Sequence, residues 1–106
     1  ELTAVVKRVT RFKKVNAPVA SAFHKLETAT REGNVLDAKT HELISLAVAV
    51  TTRCDGCIAA HAGAAKRAGA SKEELAAALG TAIALNAGAA YVYSSRAFEA
   101  FEELEA

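Results

Sequence analysis

The sequence predicts an all-α fold, a compact bundle of five to six helices that assembles into an oligomer. Alanine supplies 26 of the 106 residues and proline only one, a composition that favours helix. Apolar residues recur at spacings of three and four with little strict alternation. Helix start and stop signals, among them Asp37, Ser71, Gly33-Asn34 and Gly69, punctuate the chain. At this length the chain reads as a single domain over 1–106.

Residues 1–16 form a weakly amphipathic lead, with Val5, Val9 and Phe12 apolar and Lys and Arg between them, and read as either a short helix or a flexible arm. Pro18 suits the first turn of a helix that carries Phe23 and Leu26 to about Glu32, where Gly33-Asn34 stops it. Asp37 can cap the next helix, which runs through Glu42, Leu43 and Leu46 to about Thr52. Its segment Ile44–Val50 is apolar almost all round, which predicts burial on several sides. A third long helix starts at Asp55-Gly56, carries Cys57 and His61, and ends at Gly69, a residue suited to a left-handed cap. Ser71 and Glu74 form a capping box for a helix running toward Asn86. Gly88 predicts a break or kink, after which a last helix to about Leu104 presents Tyr91, Phe98 and Phe101 on one apolar side.

The formal charge is +1 and both signs are spread along the chain, so no basic stripe points to nucleic acid. Apolar runs such as Leu46 to Val50 fall far short of the roughly 20 residues a membrane span needs, and no signal pattern opens the chain. A soluble, cytoplasmic protein is the expectation. Alanine-rich helices bury little area each, at roughly 25 cal/mol per Å², so a lone bundle of this size is marginal and self-association is its remedy.

The chemistry concentrates in Cys54-Asp55-Gly56-Cys57-Ile58-Ala59-Ala60-His61, which holds the only two cysteines. A disulfide over so short a loop staples little, so the spacing points to redox or metal chemistry. At i, i+3 and i+7 the three side chains share one helix face. Both cysteines lie near a helix start, where free amides and the macrodipole favour a thiolate. One thiolate can attack a peroxide or disulfide and the other can close a disulfide with it. His61 can take a thiol proton if a carboxylate orients its ring. Glu42 is the candidate carboxylate. It lies roughly 17 Å back along one helix while His61 lies roughly 10 Å along the next, and a short turn joins the two. A buried glutamate requires a partner, which such a relay supplies.

Glu42, Cys54, Cys57 and His61 in this spacing resemble the Glu/Cys-x-x-Cys-x-x-x-His signature of the alkyl hydroperoxidase D and carboxymuconolactone decarboxylase family. The likeness runs from about Phe12 to Leu104 and includes Leu36-Asp37-Ala38-Lys39-Thr40 and Ala68-Gly69-Ala70-Ser71. The resemblance implies an alkyl hydroperoxidase D-like fold in homo-trimers or homo-hexamers and, in members that keep both cysteines, reduction of hydrogen peroxide or organic hydroperoxides. Cys57 then matches the peroxidatic cysteine that becomes a sulfenic acid, Cys54 the proton donor and resolving cysteine, and His61 with Glu42 the proton relay. A dithiol reductant, a dihydrolipoyl protein or a thioredoxin-like one, is implied as partner, with no cofactor and no resident metal. Gly56 stands where the better-known hydroperoxidase has histidine, and that protein is longer. The lactone decarboxylase branch generally lacks the cysteine pair, so its activity fits this chain poorly.

Other readings of the same residues are a disulfide reductase, a redox-responsive oligomer without turnover, or a metal-binding module using two thiolates, the imidazole and Glu42. His24 and His41 read as surface residues, and Ser45 as bonding back to its own helix.

Overall fold

A computed structural model of the chain describes residues 2–104. Five α-helices follow one another: α1 (Leu2–Val15), α2 (Ala17–Ala29), α3 (Ala38–Thr52), α4 (Asp55–Arg67) and α5 (Lys72–Leu104), with a 3₁₀ turn at Glu32–Asn34 between α2 and α3. No strand occurs among the described residues. The lead segment is thus a helix and not an arm.

Local chemistry sets most boundaries. Asn16 accepts from the Val19 amide at 3.3 Å, and Pro18 occupies the first turn of α2. That helix ends at Ala29, earlier than Glu32, because Thr30 and Arg31 turn back onto the Leu26, Glu27 and Thr28 carbonyls. Gly33, at φ +81°, then bends the chain out of any helix. Asp37 caps α3 through the Thr40 amide at 2.8 Å. Ser71 and Glu74 cap α5 reciprocally, at 3.0 and 2.9 Å.

One expected boundary is absent. Gly88 breaks nothing, and α5 runs unbroken for 33 residues. An interior glycine costs a helix about 1 kcal/mol relative to alanine, which the flanking alanines tolerate. Unbroken, α5 is long and apolar enough to cross a membrane by length and composition alone. Its first half, however, is bound to protein. Lys39 pairs with Glu74 at 2.8 Å, and Asn86 donates to the Thr51 hydroxyl at 2.9 Å, fastening α5 to α3 at two levels.

The buried core is small: Leu46 and Ala49 of α3, Ala65 of α4 and Ala82 of α5. The pairings α3 on α4, α3 on α5, and α1 on α2 and α4 make the architecture. Ile44 and Val48 are about half exposed, so the apolar centre of α3 is not enclosed on several sides within one chain. From Ile83 to Leu104 every residue is exposed, including Tyr91, Phe98 and Phe101. The chain accordingly extends over 56 × 39 × 30 Å with a radius of gyration of 18.5 Å, against about 13 Å for a closely packed domain of similar length.

Candidate functional site

The turn between α3 and α4 positions the reactive residues. Arg53 closes α3 in the left-handed region at φ 56°, ψ 51°, a conformation more usual for glycine. The Cys54 amide returns to the Ala49 carbonyl at 3.0 Å. The chain therefore reverses at once, and α4 runs back along α3. Cys54 is the N-cap of α4, its sulfur accepting from the Cys57 amide at 3.2 Å.

Cys54 and Cys57 form a disulfide, with Cα atoms 5.2 Å apart. Their surroundings differ. Cys54 is half-buried under the turn, whereas Cys57 is exposed and lines a cavity of about 360 Å³. Phe23 and Leu26 of α2, Ile44 and Val48 of α3, and His61 of α4 line it too. Cys57 and His61 thus share one apolar recess. Tyr91 and Tyr93 do not line it; Tyr93 instead stacks under the Arg96 guanidinium at 4.8 Å.

The antiparallel return of α4 brings His61 to Glu42. Nδ1 of the imidazole lies 2.6 Å from Oε1 of the carboxylate. Glu42 is 6% exposed and is the one buried charged residue among those described. Burial on its own would raise its carboxyl. The hydrogen bonds from His61 and Arg31, and their charges, outweigh burial and hold it below its ordinary value. An ionised carboxylate can only accept, so Nδ1 carries the hydrogen and Nε2 is the nitrogen left for a thiol.

The lowered carboxyl has a consequence for stability. A group whose folded value lies below its unfolded one contributes stability above the ordinary value, and that contribution disappears as pH falls through the folded value. Urea midpoints measured from neutral to acid pH are expected to fall once the pH drops below about 4.5. Glu42→Gln should flatten that limb, and an unchanged limb in the variant would refute the assignment.

Arg31 is the residue that sequence reasoning missed: its Nη2 lies 3.4 Å from Glu42 Oε2. Its position at the end of α2 gave no signal, since the path through Gly33 decides where it points. Ser45 bonds back to the His41 carbonyl at 2.9 Å. His24 is exposed, but His41 is half-buried and lines the recess. Among the described residues no group of three or more His, Cys, Asp or Glu is placed to hold a metal ion.

Gly56 has a packing reason to be glycine. A Cβ there would stand 2.9 Å from Cγ1 of Val5, so α1 lies directly on the first turn of α4. A histidine at this position would have to displace α1.

Comparison with known proteins finds likenesses over most of the chain. The profile of the carboxymuconolactone decarboxylase family matches residues 17–100. An uncharacterized protein of Haemophilus influenzae is 67% identical over 80 residues, covering 76% of this chain and 71% of its own. Uncharacterized protein 4 in the cox locus of Paracoccus denitrificans is 34% identical over 92 residues, covering 87% and 83%. The crystal structure of apo-lpg0406 from Legionella pneumophila, described as a carboxymuconolactone decarboxylase family protein, superposes with a TM-score of 0.75. It is 34% identical and covers 96% of this chain and 91% of its own.

Proposed function

The chain belongs to the carboxymuconolactone decarboxylase family, and from that premise we propose that it is a thiol-dependent peroxidase. The observation that carries the reading is the exposed Cys57 in an apolar recess beside an imidazole whose far nitrogen is anchored by a buried carboxylate.

His61 takes the Cys57 proton through Nε2, and Glu42 balances the imidazolium. The Cys57 thiolate attacks one peroxide oxygen, breaking the O–O bond. The proton held on His61 passes to the departing oxygen, which leaves as water or an alcohol, and Cys57 becomes a sulfenic acid. The Cys54 thiol then displaces the hydroxyl as water and closes the disulfide. A dithiol reductant returns both thiols and is itself oxidised, so two electrons pass in each turn. Cys54, close behind Cys57 and half-buried, suits the resolving role.

The apolar lining supports an organic hydroperoxide beside hydrogen peroxide as substrate. A homo-oligomer belongs to the same proposal, because the exposed apolar outer half of α5 and the half-exposed Ile44 and Val48 lack cover within one chain. The fastening of α5 to α3 favours protein over lipid as that cover, and a cytoplasmic location goes with it.

Stopped-flow mixing of the reduced protein with cumene hydroperoxide and with hydrogen peroxide tests the reading. Thiol loss well above the rate of free cysteine is expected. A rate no faster than free cysteine, with disulfide substrates still reduced, would replace it with a disulfide reductase.

A further inference from the structure

We infer that Arg31 is a positioning residue of the cysteine site, fixing the Glu42 carboxylate and supplying the permanent positive charge that favours the Cys57 thiolate. This rests on the relay reading of His61 and Glu42 given above. The two oxygens of Glu42 are divided: Oε1 lies 2.6 Å from His61 Nδ1 and Oε2 lies 3.4 Å from Arg31 Nη2. A carboxylate held at both oxygens cannot spin about its last bond, so Oε1 stays on Nδ1 and Nε2 stays available to the thiol.

The guanidinium is itself tethered. Its Nη1 donates to the Glu27 carbonyl at 3.4 Å, and the Arg31 amide donates to the Thr28 carbonyl at 3.0 Å. Its side chain is 47% exposed, so it fills no core space that a substitution would empty. It also lines the recess that holds Cys57 and His61, where it is the one lysine or arginine. Arginine keeps its charge across the whole working pH range, and other titratable side chains share the recess. Those are Glu27 from α2 and His41 from α3, with Cys57 and His61 from α4. On its other side Arg31, with Glu42 and His41, borders a smaller cavity of about 100 Å³, so the guanidinium stands between two openings. Taking the cation away both frees the carboxylate and removes an attraction for the thiolate.

The test uses the reduced chain carrying Cys54→Ser, so that Cys57 is its one thiol, alkylated with iodoacetamide across a pH series. Arg31→Gln is expected to slow alkylation at neutral pH roughly fivefold, as for a partly screened charge pair, and to displace the rate profile to higher pH. Arg31→Lys, which keeps the charge, should hold the profile near its original position. A Gln profile that superposes on the parent overturns the inference. So does equal slowing in both variants without displacement, which would mark a merely structural residue. Alkylation involves no peroxide, so failure of the peroxidase reading leaves this outcome legible.

Discussion

Replacing Cys57 by serine is expected to reduce peroxide consumption to the rate of buffer alone, while Cys54→Ser stops turnover but spares the first oxidation. A serine hydroxyl does not ionise near neutral pH and does not attack an O–O bond, so position 57 then offers no nucleophile. Two physical effects compete over which sulfur reacts. The Cys54 sulfur receives the Cys57 amide at 3.2 Å, an N-cap hydrogen bond that favours its thiolate. Cys57, however, is the exposed sulfur in the recess and shares it with His61, whereas Cys54 is half-buried and does not line it. Access decides, because a stabilised thiolate that peroxide cannot reach does not react. Dimedone should therefore label Cys57 in the Cys54→Ser variant after one equivalent of peroxide. A sulfenic acid trapped on Cys54 in the Cys57→Ser variant, with none in the other, would reverse the two roles.

Glu42→Gln should lower the second-order rate of Cys57 oxidation by about a hundredfold, the lower end of what general acid–base catalysis supplies. The amide keeps the shape and can still accept from Nδ1, so orientation is partly preserved. What it loses is the charge that balances the imidazolium. It also turns an acceptor beside Arg31 into a neutral group, leaving the guanidinium without its counter-charge. Stopped-flow rates at neutral pH, with helicity checked by circular dichroism, read the effect. A variant within twofold of the parent would remove Glu42 from the relay and leave it a buried structural anion.

The residues that proved easiest to place from sequence are those whose environment is local. Asp37, the Ser71–Glu74 box and Gly69, at φ +89°, depend only on neighbours within one turn. The approach of Glu42 to His61 was also legible, though they are 19 residues apart, because a two-residue reversal forces α4 back along α3. Arg31 was not, since its reach to Glu42 passes through Gly33 and Asn34, both at positive φ, and spacing says nothing about such a path. Gly88 does not end α5 because its propensity cost of about 1 kcal/mol is small in a long alanine-rich helix. The apolar run of α3 told that Ile44 and Val48 avoid water but not what covers them.

The projecting end of α5 ties the redox site to the law of mass action. Beyond Asn86, whose side chain bonds to Thr51 of α3, about 27 Å of helix is exposed at every described residue. An isolated helix of that length is marginal in water, so in the proposed oligomer a second copy would supply its order. Anything that binds only the ordered form stabilises it by an amount that grows with the logarithm of its concentration. In that assembly α5 braces α3, which carries Glu42, so dilution would loosen the carboxylate. In the proposed oligomer, peroxidase activity per molecule would therefore depend on protein concentration.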